Sequence, residues 1–185
     1  MRMRFPWENG FALASGCLFF VALGVCGCAH SLGPAGPDTL TVSSTAFKEG
    51  QNMPAQNTCG GTGISPPLAW SKPPDHTASL AITCLDPDAP SGTFTHWLVY
   101  DIPASAMSMV EGSAPAGSLQ GMNDFGSTGY GAPCPPPGNP HHYLFTVYAL
   151  DNKPDLKGGA SRTDLFAAIK GHVLAKGEIT GLYGR

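Results

Sequence analysis

The sequence is poor in charge. Only 12% of its 185 residues are Asp, Glu, Lys or Arg, ten basic against thirteen acidic, with a formal net charge of −3. The basic residues form no cluster, which excludes a nucleic-acid partner held through its phosphates. Several catalytic signatures are missing too. There is no Gly-rich phosphate loop followed by Lys, no His-Glu-x-x-His zinc motif and no Gly-x-Ser-x-Gly nucleophile elbow. No internal repeat is present. The one long apolar stretch, Phe11 to Cys26, is short for a membrane-spanning helix and interrupted by glycines, so a retained signal anchor ranks last among the readings of the N-terminus.

That stretch follows Met1-Arg2-Met3-Arg4 and leads into Val25-Cys26-Gly27-Cys28-Ala29, the order of a secretory leader. Gly27 directly before Cys28 suits lipoprotein processing, with residues 1–27 removed and Cys28 acylated as the new N-terminus. Ordinary signal-peptide cleavage is the alternative. Loss of Arg2, Arg4 and Glu8 leaves eight basic and twelve acidic residues, a net charge of −4. An acidic domain does not adhere to an anionic membrane by charge, so membrane contact is expected through lipid on Cys28. The remaining 158 residues suit one domain with a sizeable core. Cys59, Cys84 and Cys134 remain besides Cys28, and an exported chain permits one disulfide. Cys59 with Cys134 is the favoured pair, because both lie in Gly-rich loops while Cys84 sits on an apolar strand face. The other two pairings, or three buried thiols, stay open.

Residues 28–37 are Gly- and Pro-rich and read as a flexible tether, so the domain spans 38–185. Apolar residues alternate at Leu40 and Val42, then at Leu80, Ile82 and Cys84, as in half-buried strands. Trp97 to Ile102 and Tyr143 to Leu150 are apolar on both alternating faces and read as central strands. The 24 glycines and 18 prolines cluster between these runs as turn chemistry. One helix is expected: Ser161 and Asp164 form a capping-box-like start, Leu165, Ile169 and Val173 recur every fourth residue, and Gly177 is a natural stop. The pattern predicts a mostly β domain with few helices.

The most informative segment is Asp86-Pro87-Asp88-Ala89-Pro90, which ends the apolar run Leu80 to Leu85 and is followed by Ser91-Gly92-Thr93-Phe94-Thr95-His96-Trp97. Pro87 and Pro90 fix φ near −65°, holding two carboxylates on a stiff loop. The isomer of the Ala89-Pro90 bond is left open. Asp86, Asp88, His96 and His141 would converge if the strands beginning at Trp97 and Tyr143 were neighbours. The two imidazoles and the Tyr143 phenol then offer donors for a phosphoryl or carboxylate oxygen, and the carboxylates would raise the histidine pKa values so that imidazolium meets the anion. Plainer readings stand beside this one. Asp88 suits the capping of its own turn, the Tyr143 ring suits the core, Ser91 and Ser127 suit turns, and His30, His76 and His172 suit solvent.

Together with Asn123-Asp124-Phe125-Gly126, Gly129 to Gly138, His141-His142-Tyr143, Ser65 to Trp70 and Gly181 to Arg185, this segment resembles the phosphatidylethanolamine-binding protein family, in its bacterial Raf kinase inhibitor-like branch. The resemblance implies an antiparallel β fold with peripheral helices and a ligand pocket made by Asp86, Asp88, His96, the Ala132 to Pro135 loop with Cys134, His141 and Tyr143. It implies a non-enzymatic binding protein without cofactors, holding a small anion such as phosphate or a phosphoethanolamine-like head group. Modulation of kinases or proteases by contact, and association into a homodimer, are further implications. The alternative is a hydrolase or metal-dependent enzyme using the same Asp and His residues. Three positions, in two places, depart from the family pattern. Phe94 and Thr95 stand where a Trp and a second His are frequent, and His142 replaces the usual Arg, leaving the site less positive.

Overall fold

In the computed structural model, which describes residues 32–185, the run Ser79–Asp86 becomes the middle of a six-stranded sheet. The strands, in chain order, are β1 (Val42–Ser43), β2 (Gln51–Asn52), β3 (Leu68–Trp70), β4 (Ser79–Asp86), β5 (Phe94–Pro103), β6 (Ser108–Met109), β7 (Leu119–Gln120), β8 (His141–Leu150) and β9 (Val173–Tyr183), with helix α1 (Arg162–Ile169) before the last. The large sheet runs β2-β9-β8-β4-β5-β7 and the small one β1-β3-β6. All pairings are antiparallel except β2 with β9. The expected mostly β, antiparallel fold is therefore what forms. Among the described residues, α1 and a 3-10 turn at Ala55–Asn57 are the helical elements. The leader, Cys28 and His30 lie outside the described residues.

Alternation on the central strands divides the core between the two faces of the large sheet. Leu80, Ile82, Cys84, Trp97, Val99, Phe145 and Val147 pack with Val42, Leu68 and Trp70 of the small sheet. Ala81, Leu98, Tyr100, Tyr148 and Leu150 pack on the other face with Leu165 and Ile169 of α1. Each helix residue so buried contributes about 1.5–3 kcal/mol. β4 is thus buried along all eight residues, not half-buried as its alternation suggests, because it has a strand on each side and a layer on each face. It also lies between β5 and β8, so the two strands expected to be neighbours flank it instead. Both begin earlier than their apolar runs, at Phe94 and His141.

Two irregularities shape β5. Leu80 sits opposite Ile102 and Ile82 opposite Val99, so β5 holds one residue more than β4 there. Asp101, at φ 58°, takes up the excess and lets Ile102 rejoin the face of Val99. Nearer the strand's start, Cys84 sits opposite Trp97 but Leu85 opposite Thr95. His96 is the unpaired residue between them.

The helix begins as expected. Ser161 Oγ accepts from the Asp164 backbone N–H at 3.2 Å, and Asp164 Oδ2 accepts from that of Ser161 at 3.1 Å. It ends earlier, at Ile169, where Lys170 turns extended (ψ 121°) and Gly171 takes φ 84°. Val173 instead opens β9. Gly177 lies inside that strand, where a Cβ would come within 2.9 Å or less of the Leu40 backbone and side chain, so its glycine marks a close crossing of chains and not a helix stop. The described part of the expected tether also lies on the domain. A Cβ on Gly33 would meet the Tyr148 hydroxyl and one on Gly36 the Val173 side chain, while Pro37 O accepts from Lys176 N–H at 2.8 Å.

Candidate functional site

Antiparallel pairing brings the end of β4 together with the beginnings of β5 and β8. Asp86 is directly opposite Phe94, and Leu85 is opposite Leu144, which sets Tyr143 and His141 beside the β4 tip. The bulge then supplies His96. Released from the ladder, its ring stands 5.1 Å from the Tyr143 ring and 5.0 Å from that of Phe94. Bulges beside functional sites commonly re-aim a side chain in this way.

A loop from Gly121 to Gly138 closes the other side. Buried Asn123 organises its first turn: Oδ1 accepts from the backbone N–H groups of Phe125 and Ser127 at 3.0 and 3.1 Å, and Nδ2 donates to Gly129 O at 2.9 Å. Thr95 N–H donates to Asp124 Oδ2 at 2.7 Å, while Asp124 N–H donates to Thr95 O at 2.9 Å. Gly131 is pinned to the bulge by its N–H on His96 O at 2.8 Å and by His96 Nδ1 at 2.7 Å from its own carbonyl. A Cβ at Gly131 would run into the Phe125 ring, so only glycine leaves room for that ring against the loop. Cys134 is bonded to Cys59, the pairing favoured from sequence, and Cys59 N–H donates to Pro133 O at 3.0 Å. The C-terminus holds the loop as well, with Arg185 Nε donating to Pro135 O at 2.6 Å. Cys84 stays a free, buried thiol whose pKa burial pushes up.

The result is a cavity of about 290 Å³, close to the lower end of the roughly 300–1,000 Å³ usual for small-molecule sites. Asp86, His96, His141 and Tyr143 line it with Phe94, Phe125, Pro90, Cys134 and Pro135. Within it, Asp86 makes two bonds. Oδ1 accepts from the Asp88 N–H at 2.8 Å, capping the Asp-Pro-Asp turn, and Oδ2 lies 2.7 Å from His141 Nδ1. The Tyr143 hydroxyl is buried and has no hydrogen-bond partner, and burial, followed by the Asp86 charge, raises its pKa. It is therefore a neutral donor awaiting an acceptor.

His96 overturns one expectation. Burial lowers its pKa, and the Gly131 carbonyl and the charges of Asp86 and Asp124 only partly oppose that effect. The carboxylates do not make this ring an imidazolium at neutral pH. Asp88 and Ala132, both implied by the resemblance, do not line this cavity; Asp88 lines the adjoining cleft with His141, His142 and residues 136–140. Asp88 turns outward, its Oδ2 accepting from the His142 backbone N–H at 2.8 Å and lying 2.7 Å from His142 Nδ1. Burial alone would raise its pKa, but the two His142 bonds outweigh it and hold the carboxyl low. The capping role imagined for Asp88 belongs to Asp86. Ala132 borders Gly63, with its Cβ 3.2 Å from where a Gly63 Cβ would stand, and does not line the cavity.

Phe125, Ala89, Pro90 and Pro136 line the cavity without having been named as pocket residues from the sequence. Phe125 had a signal: it is a large apolar side chain, 53% exposed, inside a turn motif of otherwise small or polar residues. His172 pairs with Asp151 at the surface, and His76 is exposed in a left-handed turn at φ 69°. The Ala89-Pro90 bond is trans. Among the described residues, no group of three or more His, Cys, Asp or Glu side chains is placed to hold a metal ion.

The family model described as phosphatidylethanolamine-binding protein matches residues 43–184. A UPF0098 protein of Methanothermobacter thermautotrophicus is 44% identical over 151 residues, covering 79% of this chain and 99% of that protein. UPF0098 protein YbhB of Escherichia coli is 38% identical over 157 residues, covering 78% and 99%. Among solved structures, E. coli YbcL, described as a new member of the mammalian PEBP family, superposes with a TM-score of 0.75 at 34% identity, covering 79% of this chain and 98% of that one. CT736 of Chlamydia trachomatis, described as a putative PEBP homologue, gives 0.75 at 36% identity, with 79% and 97% covered.

Proposed function

Because the chain belongs to the phosphatidylethanolamine-binding protein family, we propose that the cavity at the tip of β4 binds a small anionic group, such as phosphate, a phosphorylated metabolite or a phospholipid head group. One observation carries this reading. Four polar side chains from three strands, Asp86, His96, His141 and Tyr143, line a single cavity, and one of them presents a buried hydroxyl without a partner. Other buried polar atoms lack partners too, among them Thr83 Oγ1 and Asn57 Oδ1, but only the Tyr143 side chain among these lines the cavity, and an unmade buried hydrogen bond costs about 1–3 kcal/mol. A ligand oxygen relieves it. Binding, not turnover, suits the site, because neither Ser91, which lines the cavity, nor any other hydroxyl is hydrogen-bonded to either imidazole among the described residues.

Titrating the protein with phosphate and phosphoethanolamine while following the His96 and His141 resonances by NMR tests the proposal. Specific shifts, abolished in the His96→Ala and His141→Ala variants, are expected; unchanged affinity in both variants would place the ligand elsewhere. The same reading makes the protein exported and held on a membrane by lipid at Cys28. Cys28→Ser should release it to the soluble fraction, and continued attachment would favour a retained anchor. Contact with a kinase or protease, and pairing of two chains, belong to this reading as possibilities of the surface around the cavity, to be checked by co-purification and sedimentation.

A further inference from the structure

We propose that the cavity selects an oxyanion that still carries one proton, such as a phosphomonoester monoanion, and discriminates against phosphodiesters that bring no hydrogen-bond donor of their own. This rests on the anion-binding reading above and narrows it. A carbonyl oxygen cannot donate, so the 2.7 Å contact between His96 Nδ1 and Gly131 O requires the ring proton on Nδ1. The neutral ring then presents a lone pair at Nε2, which has no protein partner among the described residues and belongs to a side chain lining the cavity. Whatever proton His141 carries on its own Nε2, His96 asks the ligand for a donor.

A fully ionised phosphate has none. A phosphomonoester monoanion has one: its P–OH can donate to His96 Nε2 while its charged oxygens accept from the unpartnered Tyr143 hydroxyl. A phosphodiester carries the same single charge but only acceptors, which would set oxygen lone pairs against a nitrogen lone pair. Charging His96 would remove the conflict, and its surroundings oppose that. The ring is 3% exposed and walled by Phe94, Phe125 and Tyr143. The groups bearing on it are Asp86 from β4, Asp124 from the loop and His141 from β8, with the Tyr143 phenol beside it and the Arg185 side chain bonded to the Pro135 carbonyl of the cavity wall. The two carboxylates favour a charged ring, but burial outweighs them. At position 142, a histidine committed to Asp88 supplies no fixed cationic donor. A site built to accept a hydrogen from its ligand rejects strongly the analogue that lacks it, because the site's own polar group is left unpaired.

Calorimetric titrations of the protein near pH 6, where about half of a phosphomonoester is monoanionic, with methyl phosphate, dimethyl phosphate and diethyl phosphate, test this. Methyl phosphate is expected to bind about tenfold tighter than dimethyl phosphate, a difference of one polar contact. Its affinity should fall about tenfold per pH unit well above the phosphate's second pKa, as the monoanion is depleted. The nitrogen shift of His96 Nε2 should stay that of an unprotonated acceptor in the complex, and His96→Gln, whose amide offers both donor and acceptor, should erase the preference. Equal binding of either diester, or a protonated His96 in the complex, overturns the inference while leaving the anion-binding reading in place. If none of the three compounds binds, both fall.

Discussion

Asp86 and Asp88 stand two residues apart at the tip of β4, and each holds a histidine Nδ1 at 2.7 Å, His141 and His142 respectively. The chemistry and the distance are identical, but the surroundings are not. Side-chain exposure is 4% and 11% for the inner pair against 41% and 54% for the outer. The inner carboxylate is also bonded to a backbone N–H and lines the aromatic-walled cavity, whereas the outer pair, about half exposed, lines a neighbouring surface cleft with residues 136–140. Electrostatic interactions strengthen as the dielectric falls, so the inner pair can polarise a ligand and the outer pair, screened, mainly fixes the loop it touches. An Asp-His contact therefore identifies a site only through what encloses it. The third pair, Asp151 with His172, is also at 2.7 Å and lies open to solvent, each side chain 45% exposed.

The largest expected contrast is mutational. Asp86→Ala leaves the His141 Nδ1–H and the Asp88 N–H without their acceptor and should cost about 1–3 kcal/mol of stability for each in urea denaturation, together with most of the anion affinity. Asp88→Ala should cost under about 1 kcal/mol and leave affinity within a few-fold. Equal losses would dissolve the distinction between inner and outer pairs.

Next in size is the disulfide. Cys59 and Cys134 are separated by 75 residues, and replacing both by Ser should lower stability by about 2–4 kcal/mol. Because Cys134 lines the cavity, the His96 resonances should move more than those of His142; the reverse order would place the strain at the rim.

The smallest contrast is in pH. His96 has its folded pKa below the unfolded value, so the unfolded chain takes up its proton first. Its contribution to stability is full well above about pH 6.5 and declines as pH falls below that, by at most about 1.4 kcal/mol per unit. Asp88 is depressed as a carboxylate, so its contribution is present above about pH 3.9 and is lost only as pH falls through its folded value. Urea titrations across pH should show the first slope removed by His96→Gln and the second by Asp88→Asn. A single shared window would contradict the separation.

Much of the site was legible because its residues are rare types in rigid local settings. Asp86 is placed by two prolines, His141 opens an apolar run, and the Gly- and Cys-bearing loop declares itself by composition. What stayed hidden is tertiary. Whether Asp86 or Asp88 turns inward depends on the pleat and register of β4 against β8, and a one-residue difference in register reverses the answer. The sign of the His96 shift depends on burial, which sequence alternation cannot supply for a residue that leaves the ladder. The same holds for the fold. Central strands were recognisable from apolar runs, but their order was not, because β4 separates β5 and β8 through pairings of distant segments. The helix failed only at its end, where Val173 continued a fourfold spacing by coincidence and the glycine that matters is Gly171, at φ 84°.

The unpaired position on β5 has one more implication. Without His96, Thr95 and Trp97 would follow one another in step with Leu85 and Cys84, and the pairing of β4 with β5 would run unbroken from Asp86 to Ile82, as far as the second bulge at Asp101. Deleting that single residue is thus expected to yield a protein that folds with a more regular β-sheet yet has nowhere to seat a guest, which amide exchange along β5 and loss of phosphate binding would register together. If the cavity binds as proposed, recognition depends on a fault of one residue, and a more orderly strand would be an inert one.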